Sequence, residues 1–278
     1  MKIHYQVDSY PSDSRAAAYG DGCFTTMLVQ NGVVQLLDRH IKRLKKDLSR
    51  LELEGFNEAS LLEAIHTALG SEQNAESFIL KVLVSAGSGG RGYARNQNSE
   101  LQVFISRHPY PSHYTQWQHA GITLGLSKIQ IAKQAVLAGV KHLNRLEQVL
   151  IKQDLEHSIS SSQQDVIVTD TDGMMVETSI ANLFWRMGSQ WFTPDLAYSG
   201  VSGVMCEWVL SQFKSTNTSV TVVRAKPDLL RQCDSVFICN GVMGMVPVNK
   251  LEWNGVVTEL PESIQDTKQL SANGLSIG

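Results

Sequence analysis

Short apolar runs of strand-like composition alternate with helical patterns along the chain, separated by breaks rich in glycine, proline and asparagine. Residues 23–29 are β-rich, Asn31-Gly32 is a two-residue hairpin signal, and the chain runs back from Val33 to Leu37. Leu37, Ile41, Leu44, Leu48 and Leu51 then recur at helical spacing, with Arg39, Lys42, Arg43, Lys45 and Lys46 among them as a largely solvated face. A second helix is expected over 58–69, and strands over 78–84 and 101–105. Residues 109–113 (Pro-Tyr-Pro-Ser-His) break the pattern and mark a linker between two domains. The expected division is therefore 1–108, a linker over 109–120, and 121–278.

The second half is dominated by strand signals, at 122–126, 165–169, 174–177, 182–185, 190–194, 219–223 and 235–239. Asp172-Gly173 reads as a turn and Trp253-Asn254-Gly255 as a hairpin. A helix opens near Val201-Ser202-Gly203-Val204, and the tail from Glu262 is polar without a pattern. Between these lies the stretch 139–150, in which Leu143, Leu146, Val149 and Leu150 keep helical spacing. Lys141 is expected at or just before that helix start, where the positive end of the dipole lowers a lysine pKa and favours a nucleophilic amine.

With 278 residues the chain is long enough for one large domain or two smaller ones. A net charge of -3 and the lack of a basic stripe point away from nucleic acid and toward a small-molecule substrate. No apolar run reaches membrane-spanning length and the N-terminus lacks a signal-peptide pattern, so no membrane partner and a cytoplasmic location are expected. Cys23, Cys206, Cys233 and Cys239 are scattered and read as reduced thiols. The eight histidines show no metal-ligand spacing, and no metal is expected. Residues 87–92 (Gly-Ser-Gly-Gly-Arg-Gly) match GxGxxG literally, but polar turn residues follow instead of a helix. The segment reads as a glycine-rich hairpin loop carrying Arg91, not a dinucleotide fingerprint.

A lysine that carries an aldehyde cofactor requires three further groups: an acid at the ring nitrogen, an anion cradle and a cation for the substrate carboxylate. Glu177 at a strand end, the turn at 200–203 and the Asn240-Gly241 turn are candidates for the first two. Together, the runs at 177–184, Thr193 and 201–204 resemble the signature of the class IV aminotransferase-like pyridoxal-phosphate family, departing from it at Trp191 and Cys206. Residues 40–44 (His-Ile-Lys-Arg-Leu) resemble its phosphate-binding arginine motif, and 141–144 its Schiff-base lysine segment.

The resemblance implies an α/β fold of the α+β type, with a smaller N-terminal α/β domain and a larger β-rich C-terminal domain. It implies pyridoxal 5'-phosphate as cofactor and a homodimer. By the same resemblance Lys141 bonds the cofactor and moves protons, Glu177 meets the pyridine nitrogen, and Arg43 binds the phosphate. Val201, Ser202, Asn240 and Gly241 complete the phosphate cup, and Arg91 and Phe24 meet the substrate. Within the family, 20–26, 87–93 and 139–150 are similar to a branch that converts 4-amino-4-deoxychorismate to 4-aminobenzoate and pyruvate. Thr25 stands where the family's aminotransferases often carry glutamate, and Thr25, Thr26 or Lys141 is the acid at the leaving oxygen. The alternative activity is D-amino-acid or branched-chain transamination.

Overall fold

A computed structural model describes residues 1–7, 9–70, 76–96, 99–157 and 162–271. The chain separates into two compact units. The first comprises Met1–Tyr110 together with Val140–Asn144; the second comprises Pro111–Gly139 and the chain from Arg145 onward.

In the first unit the chain forms β1 (Lys2–Tyr5), α1 (Arg15–Tyr19), β2 (Gly22–Gln30), β3 (Val33–Val34), α2 (Leu37–Arg50), α3 (Glu58–Leu69), β4 (Phe78–Ser85) and β5 (Gln102–Pro109). The sheet order is β1-β5-β4-β2-β3. Asn31-Gly32 closes the β2–β3 hairpin with both residues at positive φ, as an Asn-Gly turn requires. The side chain of Asn57 caps α3 by accepting the Ser60 N–H at 3.0 Å. Met27, Leu44, Leu48, Leu61, Ile65, Leu80, Val82 and Val103 are buried together between the sheet and the apolar stripes of α2 and α3.

The second unit adds α4 (His113–Ala120), β6 (Ile122–Leu126), α5 (Leu146–His157), β7 (Asp165–Thr169), β8 (Met175–Thr178), β9 (Asn182–Met187), β10 (Gln190–Pro194), α6 (Val204–Ser215), β11 (Val220–Val223), β12 (Ser235–Asn240), β13 (Gly244–Trp253), β14 (Val256–Glu259) and α7 (Glu262–Leu270). Eight strands run in the order β11-β10-β9-β12-β13-β6-β7-β8, and β14 pairs with β13. Alternation along β9 sends Leu183 and Trp185 into one core with Ile238, Val246 and Leu251. Phe184 points to the other face, where it stacks on Phe237 at 5.0 Å and meets Phe213 of α6 edge-on.

Three sequence readings change. The segment read as linker contains α4. The patternless tail contains α7, whose buried positions are Ser263 and Thr267, so its inward face carries no apolar signal. The helix expected to start near Lys141 begins at Leu146, and 140–144 is extended instead. Among the described residues no helix is long and apolar enough to cross a membrane.

Candidate active site

In the first unit the site is organised on β2 and α2. Strand alternation turns Cys23, Thr25 and Met27 toward α2 and puts Phe24 and Thr26 on the opposite face. On α2, His40, Arg43 and Asp47 lie at i, i+3 and i+7, so one helix face presents all three beside Ile41, Leu44 and Leu48. Each is buried. Arg43 Nη2 donates to Thr25 Oγ1, and the same hydroxyl pairs with His40 Nδ1 at 2.6 Å. Burial holds the His40 imidazole well below its ordinary pKa, and the cations of Arg43 and Lys141 push the same way. His40 is therefore neutral.

Lys141 is held by its main chain. Its N–H donates to Asp47 Oδ2 at 3.1 Å, and its carbonyl accepts the Phe24 N–H at 3.0 Å. Leu143 N–H donates to the Gly22 carbonyl at 3.0 Å, and His142 bridges Cys23, so the segment runs along β2 like a short extra strand. The dipole argument for Lys141 falls with this geometry. Four residues outside any helix follow Lys141 before α5 begins at Leu146, so the lysine is not the helix-start residue that the argument requires. Burial raises the Asp47 pKa, while the Lys141 N–H and the charges of Arg43, Lys46 and Arg50 pull it down. Lys141 Nζ lies 4.7 Å from the centroid of the Phe24 ring. Lys81 Nζ lies 5.1 Å from the same ring, and Lys81 pairs across the strands with Thr26. Phe24, Thr26, Lys81 and the Lys141 amine thus share one face, whereas Thr25 is fully buried on the other. Arg91 is exposed on the glycine loop.

In the second unit Glu177 sits near the end of β8, 7% exposed, and its Oε2 accepts the Val201 N–H at 2.9 Å. Asn182, at the start of β9, donates from Nδ2 to the Val201 carbonyl at 2.9 Å. Glu177 and Asn182 flank the Thr178–Ala181 turn, which Asp165 clamps by accepting Ser179 Oγ at 2.5 Å and the Ser179 N–H at 3.2 Å. Asp165 is buried, which raises its pKa against these hydrogen bonds. The Val201 turn needs its glycines. Gly200 has φ of 81°, and a Cβ there would stand 3.3 Å from Glu177 Oε2 and collide with Val176; one on Gly203 would collide with Asn182 Oδ1.

The two amides expected to face an anion have acceptors within the protein: Val201 N–H meets Glu177, and Ser202 N–H meets the Gly139 carbonyl at 3.0 Å. A turn tied this closely to its neighbours uses its own donors. The Asn240 side chain likewise closes its own turn, with Oδ1 accepting the Val242 and Met243 N–H groups at 2.9 Å each and Nδ2 donating to the Ile180 carbonyl. The donors this region leaves without intrahelical partners belong to the first turn of α6, which starts at Val204.

The first unit thus places Phe24, Thr26 and the Lys141 amine on one face of β2 and Thr25 with Arg43 on the other; the second unit brings Glu177 to the Val201–Ser202 turn. Sequence reasoning missed His40, Asp47, Lys81 and Asp165. The first two were visible as polar residues on the apolar face of a helix, and Lys81 as a lone charge inside an apolar strand. Asp165 showed only as the polar start of a strand, which carries little signal.

Residues 22–251 match the amino-transferase class IV family. The aminodeoxychorismate lyase of Vibrio harveyi is 34% identical over 86% of each chain. The crystal structure of 4-amino-4-deoxychorismate lyase from Pseudomonas aeruginosa superposes with a TM-score of 0.85 at 28% identity, covering 96% of each chain. The D-alanine aminotransferase of Bacillus licheniformis is 22% identical over 90% of this chain and 85% of its own. On this match the chain belongs to the amino-transferase class IV family.

Proposed function

We propose that the chain is a pyridoxal-phosphate-dependent lyase that converts 4-amino-4-deoxychorismate to 4-aminobenzoate and pyruvate. The observation that carries this reading is Lys141: both of its peptide groups are tied down, and its amine lies over Phe24 beside Lys81 and Thr26. The relatives named as aminodeoxychorismate lyases favour the lyase over a transaminase.

The donor set fits the cofactor's chemistry: an amine for an aldehyde, a buried guanidinium for a phosphate, and a buried carboxylate for a ring nitrogen. Lys141 would hold the cofactor through Nζ, Arg43 its phosphate and Glu177 its ring nitrogen. The Val201–Ser202 and Asn240-Gly241 turns shape the phosphate side, with the first-turn amides of α6 as donors. When bound, the cofactor draws electrons away from the amine-bearing carbon of the substrate.

Lys141 Nζ takes the proton from that ring carbon. Thr26, on the same strand face as Phe24, passes a proton to the leaving enolpyruvyl oxygen and takes its replacement from the Lys141 ammonium, and enolpyruvate becomes pyruvate. The ring gains aromaticity as the C–O bond breaks, which drives the step. Thr25 has its hydroxyl engaged by His40 and Arg43 and serves to hold the Arg43 guanidinium. Lys81 and Arg91 supply positive charge for the two carboxylates of the substrate.

The deciding experiment is 4-aminobenzoate release from enzymatically prepared aminodeoxychorismate, with Lys141→Ala as control. Release that depends on Lys141 supports the reading. Efficient turnover of an amino acid with a keto acid, without 4-aminobenzoate, supports the aminotransferase alternative.

A second copy of the chain completes the enzyme as a homodimer. What supports this is α5, where Leu146, Val149 and Leu150 lie on one face and are 71%, 50% and 43% exposed. Sedimentation equilibrium is expected to give a dimer, and Leu146→Asp to give monomers; a monomeric parent protein would refute it. Four buried, unpaired cysteines support a reducing, cytoplasmic setting.

A further inference from the structure

The GxGxxG loop, which neither the fold nor the cofactor site explains, is held at Gly89 by the Asp13 carbonyl and at Ser88 by Ser99 and Gln102, and three of its carbonyls converge on Arg15. Arg15 is 3% exposed, and its guanidinium donates from Nη2 to the Tyr93 carbonyl at 2.9 Å and from Nη1 to the carbonyls of Ala94 at 3.1 Å and Gly89 at 3.3 Å. Its Nε donates to Asp21 Oδ2 at 2.7 Å, and its own N–H donates to the Gly87 carbonyl at 3.0 Å. Asp21 also takes a fork from Arg95, at 2.6 Å from Nη2 and 3.0 Å from Nε. Arg95 Nη1 in turn reaches the Leu51 and Glu52 carbonyls at the end of α2.

The loop is shaped for this grip. Gly90 has φ of 97°, and a Cβ there would stand 3.0 Å from Arg15 Nη1 and collide with the Ala94 carbonyl. Gly87, Gly89 and Gly92 also have positive φ. A chain of four such glycines is conformationally free when unbound to anything, so its single shape must come from outside the loop. A planar guanidinium that spans three carbonyls supplies that shape; an ammonium is a point donor and cannot.

We infer that Arg15 is a positioning residue for substrate specificity: it fixes the 87–95 loop so that the exposed Arg91 is presented as a preformed fork for a carboxylate of the substrate. Fixing the loop before binding removes the ordering cost that a free glycine loop would add to each binding event. The inference deepens the lyase reading and rests on it for the identity of the carboxylate, whereas the grip on the loop stands apart from it.

The test uses full-length holoenzyme and the variants Arg15→Ala and Arg15→Lys, each alone and combined with Arg91→Ala. Hydrogen exchange of peptides covering 86–95 is expected to accelerate about ten-fold or more in both single variants, while β2 and β4 keep their protection. KM for aminodeoxychorismate is expected to rise about ten-fold with kcat within about two-fold, and to rise no further when Arg15→Ala is added to Arg91→Ala. Unchanged loop exchange, additive KM effects, or loss of protection in β2 and β4 with both variants overturns the inference. If the parent enzyme releases no 4-aminobenzoate, the lyase reading fails, and the exchange measurements alone then decide whether Arg15 fixes the loop.

Discussion

Replacing Glu177 by glutamine separates its structural role from its proposed electronic one. Its Oε2 accepts the Val201 N–H at 2.9 Å in a position only 7% exposed. Glutamine carries an amide oxygen at the same reach, so the hydrogen bond survives and the charge is what leaves. A hydrogen bond to a charged acceptor contributes about 1.5–3 kcal/mol and a neutral one about 0.5–1.5 kcal/mol. The difference is about 1 kcal/mol, which corresponds to a fall in melting temperature of about 2–4 °C for a protein of this size. Glu177→Ala removes the acceptor as well, leaving a buried N–H whose desolvation adds about 1–3 kcal/mol and a cavity on top. The catalytic effect has a different scale. A neutral amide cannot hold a ring nitrogen protonated, so kcat is expected to fall by about 100-fold or more, or about 2.7 kcal/mol in the barrier. Scanning calorimetry and steady-state 4-aminobenzoate release, normalised to bound cofactor by visible absorbance, measure both. A glutamine variant with full cofactor and kcat within about three-fold of the parent would remove Glu177 from the ring nitrogen. One that melts as low as Glu177→Ala would show that the Val201 bond had not been kept.

Lys81→Ala is expected to raise KM for aminodeoxychorismate by about ten-fold, the effect of one charge-assisted contact of about 1.4 kcal/mol, with the visible spectrum unchanged; an unaltered KM would remove Lys81 from the substrate. Alkaline stability follows from the buried thiols, since burial raises Cys206 and Cys233 to about 12 and Cys239 well above the ordinary value of 9.0. These folded values are raised, so their contribution is fully present below 9.0 and is lost as pH rises toward 12. Each thiol removes about 1.4 kcal/mol per pH unit in that window, and in denaturant titrations at pH 8.5–10.5 Cys206→Ala should flatten the slope by about that amount; identical slopes would refute the assignment.

How much of this was legible in the sequence depended on whether a feature is local. α3 is found over Glu58–Leu69, where a helix is expected, and the Asn31-Gly32 hairpin follows from two residues whose conformation is set by their own chemistry. Leu143 fits a helical period with Leu146 and Leu150, so the pattern alone starts the helix after Lys141 too early. Its N–H is instead drawn to the Gly22 carbonyl, a partner more than a hundred residues away that no local pattern can show. α7 was missed for the opposite reason: it buries Ser263 and Thr267, with Ser263 Oγ accepting the Val236 N–H at 2.9 Å, so a polar face does the packing. For the same reason no linear division of the chain could assign Val140–Asn144 to the first unit. The residue types of the site were visible in their motifs. Which atoms remain for chemistry was not, because that depends on the partners each one finds.

Thr25 and Thr26 make the point sharply. They are adjacent, chemically identical, and indistinguishable as proton donors from the sequence. The pleat of β2 sends Thr25 toward α2, where Arg43 can only donate and therefore takes a lone pair of the hydroxyl, while His40 takes another position on the same oxygen at 2.6 Å. A fully buried hydroxyl with two side-chain partners is fixed as a bracket for the guanidinium. Thr26 points to the face where the Lys141 and Lys81 amines approach Phe24, and that face alone combines a hydroxyl, a base and positive charge. A one-residue slip of β2 against β4 would exchange the two threonines and put the bracket where the acid belongs. The eight-pair register from Gly22–Ser85 to Val29–Phe78 prevents that slip, so strand pairing, rather than residue identity, determines which threonine serves as the acid in the proposed reaction.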